Sequence, residues 1–302
     1  MKTGPTPVGD LFAKLAVVDQ KRRSRASSLN SMVSASSAAA HDPLKVVQLP
    51  LWADELRCLP NEIVRSALFN ARNRKQPRAD IKDEEIAVIG GGRMTYRGEE
   101  LRQDDETVWL QLIHMAKEGP LGQIIEFTPY SLCKAIKWPI CKGSYVRLQK
   151  CLKRMQATAV AIYSDRLKGG VSLSMIPVFA WQDGDGQTLK KYRVKIAPEL
   201  VELFGDVHYT QMEWSQRLEL PDGIATWLHG YYASHKTPND IKLDTIKRGS
   251  GITTESPSKL RQLIEKALLE LTKVGFLAGW EIKGDLVIVM RAPRRKRAST
   301  PK

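Results

Sequence analysis

Arg147, Lys150, Lys153 and Arg154 stand within about two helical turns of one another in the stretch SYVRLQKCLKRMQATAV, residues 144–160, which holds no acidic residue. Cations at that spacing serve one chemistry above all: they neutralise phosphate oxygens and release the counterions condensed on a polyanion. The acid-free stretch runs from Glu126 to Asp165 and adds Lys134, Lys137 and Lys142. An isolated soluble helix gains from opposite charges four residues apart, so a long run without Asp or Glu leaves its cations for an outside partner. Duplex DNA is the expected partner; a merely solvated basic face is the alternative.

Residue patterns for bond-making chemistry are missing. The histidines His41, His114, His208, His229 and His235 never form the His-hydrophobe-His pair of a metal-dependent nickase. Tyr231 and Tyr232 lie beside His229 on an amphipathic segment and read as core aromatics. No G-x-x-x-x-G-K-[ST] occurs, and Gly90, Gly91 and Gly92 lack the following helix that would cradle a pyrophosphate. The DGDG at residues 183–186 places Val194 where a calcium loop needs a bidentate Glu, so it reads as a hairpin turn. Asp104, Asp105 and Glu106 are carboxylates at a helix start, where the helix dipole favours them. Cys58, Cys133, Cys141 and Cys151 match no C-x-x-C spacing, so they are expected as small buried hydrophobes of a reducing compartment. The expectation is a protein that is not an enzyme, with no metal and no cofactor.

The whole chain agrees with a polyanion partner. Its 47 Lys and Arg against 33 Asp and Glu leave a net charge of +14 over 302 residues. Nucleic acid is the first candidate for such an excess and an anionic membrane surface the second. The N-terminal apolar run LFAKLAVV is broken by Lys14 and followed, not preceded, by KRRSR, so it does not read as an export signal. No run approaches the roughly 18 apolar residues of a membrane span. The cytosol is the expected location.

The elements that must position the cations follow from local signals. DDETVWLQLIHMAKEG is a helix with acids at its start, and Gly119-Pro120 closes it. IIEF is a short strand. Thr128 caps a helix that has Pro129 in its first turn. A turn through Trp138-Pro139 leads to a new helix from Ser144. Strands AVAIYS, VSLSMIPVFAW and KKYRVKIAP follow, joined by the turns DRLKGG and QDGDGQ. The plan then repeats: a helix from Pro221, a shorter helix, a turn, the long helix SPSKLRQLIEKALLELTKVGF and two final strands. Helix, helix, turn, helix and hairpin, twice, predict an α+β fold with two tandem winged-helix domains at residues 86–205 and 206–292. Residues 1–85 are expected as a flexible, disordered N-terminal arm, including the charge-dense NARNRKQPRADIKDEE at 70–85, and residues 293–302 as a short basic C-terminal tail.

On a helical wheel Leu148, Cys151, Leu152, Met155 and Ala159 share one flank, while Arg147, Lys150 and Arg154 centre opposite. The second helix of a helix-turn-helix is the one presented to the major groove. The expected DNA-binding residues of the first domain are therefore Lys134, Lys142, Ser144, Arg147, Lys150, Lys153 and Arg154. In the second domain they are Ser258, Lys259, Arg261, Gln262, Glu265 and Lys266, a mixture of donors and acceptors suited to base edges. There Arg261–Glu265 and Gln262–Lys266 also fit ordinary surface pairs, and that alternative stays open.

An apolar island, QLPLW, interrupts the polar arm. Gln48, Leu49, Leu51 and Trp52 are similar to the short peptide by which bacterial proteins dock on the polymerase sliding clamp, with Trp52 where Phe is more usual. Packing of Leu49, Leu51 and Trp52 onto the first domain is the equal alternative.

MTYRGEELRQDDETVWLQLIHMAKEG (residues 94–119) and LTKVGFLAGWEIKGDLVIVM (residues 271–290), together with the tandem plan, resemble the TrfA plasmid replication initiators, within the wider group of iteron-binding Rep initiators. The resemblance implies binding to directly repeated origin sites in duplex DNA and melting of an adjacent A+T-rich segment, with its single strands as a further ligand. It also implies recruitment of host DnaA and the replicative helicase, and a monomer–dimer equilibrium that limits plasmid copy number. A winged-helix transcriptional regulator binding a promoter operator is the alternative from residues alone.

Overall fold

Leu56–Pro60 (β1) opens the described fold by pairing antiparallel with Tyr209–Glu213 (β11), which ties the front of the chain to its middle. The computed structural model describes residues 48–165 and 168–293, with backbone alone at 206 and 207. All of this belongs to one compact unit.

The helix Gln103–Ala116 (α2) follows a single turn, Asn61–Val64 (α1), and lies at the centre. It is buried on almost every face, including its charged first turn, so it is surrounded by protein rather than laid on a surface. The Asp105 carboxylate accepts the Arg102 backbone N–H at 2.9 Å, which caps its start. The strand Ile124–Phe127 (β6) comes next, then Pro129–Ala135 (α3), whose first turn is held by Thr128 Oγ1 accepting the Ser131 N–H at 3.0 Å. Lys142–Gln156 (α4) begins at Lys142, earlier than the expected Ser144. Val178–Gln182 (β9) and Thr188–Lys195 (β10) form a hairpin, and β6 joins it in the order β6-β10-β9.

The second half repeats this arrangement. Ile224–Ala233 (α6) follows a short helix, Trp214–Glu219 (α5). Ile241–Lys242 (β12), Leu243–Ser250 (α7), Pro257–Lys273 (α8), Leu277–Lys283 (β13) and Leu286–Arg291 (β14) complete it. Its sheet order, β12-β14-β13, is the first one again. Gly251 ends α7 with φ 68°, and a Cβ there would meet Asn70 Cβ at 2.7 Å, so conformation and space both require glycine.

Residues 48–85 are not a flexible arm. Cys58, Leu59, Ile63, Val64, Leu68 and Phe69 are buried in the first core, and Ala71 lies in the second. Phe69–Asn70 (β2) pairs with Leu101–Arg102 (β5), and Asp80–Ile86 (β3) pairs with Arg93–Glu99 (β4). The charge-dense stretch folds because β3 is an edge strand held by backbone hydrogen bonds, with its side chains largely in solvent. The disorder expected for residues 1–47, and the tail from residue 294, lie outside the described residues.

Two further expectations change. VSLSMIPVFAW is not one strand: Ala159–Ser164 (β7) and Gly169–Leu173 (β8) form a hairpin that extends β3-β4 into a four-stranded sheet, while β9 belongs to the other sheet. The boundary at 205/206 also moves. The 3-10 helix Pro198–Val207, β11 and the start of α5 carry Leu203, Phe204, Met212 and Trp214 into the first core, and the second core resumes at Leu220. Among the described residues no helix is long and apolar enough to cross a membrane.

Candidate nucleic-acid interface

The helix pair α3 and α4, with the β9–β10 hairpin, carries one group of exposed cations in the first half. Leu148, Cys151, Leu152 and Met155 turn into the core, as the wheel predicts. Lys134, Lys142, Lys150 and Lys153 are exposed, and Lys142, Lys150 and Lys153 have no acidic partner among the described residues. Lys153 Nζ sits 4.2 Å from the Trp181 ring centroid, which ties the end of α4 to β9. Lys190, Lys191 and Arg193 on β10 add exposed charge to the hairpin, with Arg193 held 2.8 Å from Glu126. Their signal was the KKYRVK pattern, read as a strand and not as a ligand set.

Arg147, Arg154 and Ser144 are corrected. The Arg154 side chain is 8% exposed; it pairs with Asp105 and lies 3.2 Å from Glu99. Arg147 lies 3.3 Å from Asp104 and 3.2 Å from Asp222, with its guanidinium 3.9 Å over Trp138. Ser144 is buried, its hydroxyl 3.5 Å from the Cys141 sulfur. These three flank the core side of α4. The partners of Arg147 and Arg154 come from distant segments, so no local periodicity announces them.

Two of those partners, Asp104 and Asp105, belong to a buried ion-pair network at the start of α2. Arg78 reaches Asp104 at 2.9 Å and Asp105 at 2.8 Å, and Arg217 reaches Glu106 at 2.9 Å. Arg102 and Arg72 meet Glu100 at 2.7 and 3.0 Å. Burial raises the Asp104 pKa, but Arg78 and Arg147 outweigh it and hold the carboxyl below its ordinary value. Burial and the neighbouring Asp104 charge push Asp105 the other way. Asp104, Asp105 and Glu106, expected as ordinary helix-start carboxylates, are thus a hub joining α2 to Arg78, to α4 and to Arg217 of the second half. Among the sequence signals, only the density of acids and arginines at residues 72–78 and 99–106 marks it.

The second half presents α8. Ser256 Oγ accepts the Lys259 N–H at 3.3 Å and Pro257 fills the first turn, so the helix starts as a capped unit. Ser258, Lys259, Gln262 and Lys266 are exposed. Arg261 is engaged: it pairs with Glu265 at 3.0 Å and donates to the Gly284 and Ile282 carbonyls at 2.9 and 3.2 Å, pinning the β13–β14 turn. The structure thus has Arg261 and Glu265 in the surface pair that their spacing allowed.

The clamp-like peptide is docked on its own protein. Leu49 and Trp52 are buried, and Trp52 stacks on Phe204 with centroids 6.1 Å apart. Gln48 Nε2 donates to the Lys117 carbonyl at 3.3 Å, and Lys117 Nζ donates to the Trp52 carbonyl at 2.8 Å. Gln48 and Leu51 are exposed while the Leu49 and Trp52 anchors are covered, so Gln48, Leu49, Leu51 and Trp52 are not presented as a free peptide. Three apolar side chains within four residues favour burial wherever a complementary surface lies near.

The residues weighed for bond-making chemistry fall elsewhere. His229, Tyr231 and Tyr232 are buried in the second half, where burial and the Arg217 and Arg291 charges depress His229 to about 3. Among the described residues no three His, Cys, Asp or Glu side chains converge as a metal site would require. Cys58, Cys133 and Cys151 are buried as expected, but Cys141 is exposed in front of α4.

Comparison with known proteins gives the family and the fold. A family model described as TrfA protein matches residues 22–291. The plasmid replication initiator protein TrfA of Escherichia coli is 34% identical over 280 residues, covering 89% of this chain and 73% of that protein. A crystal structure of domains 2 and 3 of RctB shares the fold with a TM-score of 0.51 at 12% identity, over 77% of this chain and 96% of that one.

Proposed function

Because the chain belongs to the TrfA family, we propose that it is a plasmid replication initiator that binds directly repeated origin sites in duplex DNA and acts in the bacterial cytoplasm. The two repeated units are read as tandem winged helices, with α4 and α8 as recognition helices and the β9–β10 and β13–β14 hairpins as wings. The observation that carries the reading is the exposed face of α4, where Lys142, Lys150 and Lys153 have no acidic partner among the described residues, on what is read as the second helix of a helix-turn-helix. Such a face gains counterion-release free energy from each phosphate it meets. The mixed polar face of α8, Ser258, Lys259, Gln262 and Lys266, suits base-edge contacts. Melting of a neighbouring A+T-rich segment, recruitment of DnaA and the replicative helicase, and a monomer–dimer equilibrium complete the reading. The chain itself is proposed to break no bond.

Footprinting on origin DNA tests this. Protection of an array of direct repeats, with a neighbouring A+T-rich tract made sensitive to single-strand probes, is the expected result. Protection of one promoter palindrome without melting indicates a transcriptional regulator instead. A covalent protein–DNA adduct on supercoiled plasmid overturns the non-enzymatic reading.

A further inference from the structure

Val146 breaks the polar character of the α4 face and does so at its centre. On the wheel Lys142, Val146, Lys150 and Lys153 fall within an arc of roughly 100°, opposite the buried Leu148, Cys151 and Met155. Val146 is 43% exposed, one turn from Lys142 and one from Lys150. Single exposed apolar residues are ordinary on protein surfaces. Here they are concentrated: of the eight large hydrophobic side chains most exposed among the described residues, Tyr130, Ile140 and Val146 all lie in the α3–turn–α4 segment. Val146 is the one of the three inside the cationic stripe. It is also in the first two turns of α4, the part of a recognition helix that meets base edges.

An apolar branched side chain has one feature to recognise in the major groove, the thymine 5-methyl group, since the other base edges there present donors and acceptors. Lys142, Lys150 and Lys153 suit phosphate oxygens or guanine edges but gain nothing from a methyl. We infer that Val146 is a specificity-determining residue of the DNA-binding face, reading a thymine methyl within each repeat while the flanking lysines position α4 on the duplex. This deepens the proposed function and rests on α4 being the groove-facing helix.

The test replaces one thymine at a time by deoxyuridine in a duplex that carries one repeat found by footprinting, which deletes the methyl and keeps every hydrogen bond. Wild-type protein should lose about fourfold in affinity at one position, the worth of roughly one buried methyl. Val146→Ala should bind the unmodified repeat about as weakly as wild type binds that substituted one, and lose nothing more on substitution. An exposed side chain leaves the fold intact, which an unchanged melting temperature confirms. Indifference of the wild-type protein to every substitution, or equal sensitivity in Val146→Ala, overturns the assignment. In that event the reading of α4 still stands if Lys142→Ala, Lys150→Ala and Lys153→Ala together weaken binding. Loss of neither affinity nor salt dependence in that triple variant removes both.

Discussion

Arg147 Nη2 on α4 lies 3.2 Å from Asp222 Oδ2, in the loop that leads into α6, and 3.3 Å from Asp104 Oδ2 on α2. One guanidinium therefore joins α4 to both its own core and the second repeated unit. The two contacts differ in weight. Asp104 is 6% exposed and cannot exchange its partner for water, whereas Asp222 is 37% exposed and can.

Arg147→Ala should accordingly lower stability well beyond Asp222→Ala, whose half-exposed pair is worth at most about 1 kcal/mol. Urea unfolding of both variants and the double variant checks this; equal effects would show that Asp104 does not depend on Arg147.

Arg154→Ala leaves Asp105, which is 0% exposed, with Arg78 as its remaining cation. Breaking a buried pair by removing one partner costs about 3–5 kcal/mol, so this variant should melt far below wild type. A normal melting temperature with weakened DNA binding would return Arg154 to the DNA-contact set.

Replacing Lys142, Lys150 and Lys153 by Ala should do the opposite, sparing stability and flattening the salt dependence of DNA binding. Each phosphate that the variant no longer neutralises lowers the slope of log K against log salt by about 0.9. Titrations at several salt concentrations therefore give the number of phosphates these lysines engage.

His229 carries an acid sensitivity. Its folded pKa, about 3, lies below its ordinary 6.5, so between those values the unfolded chain binds a proton that the folded chain refuses. Stability from this group is complete above pH 6.5 and falls as pH drops toward 3. His229→Phe should lose that dependence, and its melting temperature should gain on wild type as pH is lowered from 7 to 4. A gap between the two proteins that does not change with pH would contradict the assignment.

Trp52→Ala should destabilise the fold by about 3–5 kcal/mol, because its ring fills space against Phe204 and Tyr209. Leu51→Ala, at an exposed position, should stay within about 0.5 kcal/mol. Thermal melting separates the two. A clamp gripping residues 48–52 must first lift Trp52 from this bed, which hydrogen exchange at residues 48–56 would reveal as lost protection on clamp addition.

Much of the architecture was legible because its signals are local. Thr128, Pro129, Ser256 and Pro257 mark helix starts by hydrogen bonds and φ restrictions within one turn, and the structure has both helices there. The spacing of Leu148, Leu152 and Met155 on α4, and of Leu260, Ile264, Leu268 and Leu271 on α8, fixed which flank of each helix is buried. The β7–β8 excursion was not legible, since strand composition is the same whichever sheet receives it.

What the amino-acid order determined by itself was the cationic excess, the repeated succession of helices and hairpins, and the oily flank of each helix, all set by forces acting within a few residues. Tertiary structure alone decided which cations remain for a partner. It took Arg147 and Arg154 into ion pairs, left Lys142, Lys150 and Lys153 in solvent, and drew apolar side chains between Leu49 and Ala71 into the two cores. The reason is physical: burial and charge pairing depend on which distant segments meet in space, and helical periodicity carries no record of that meeting.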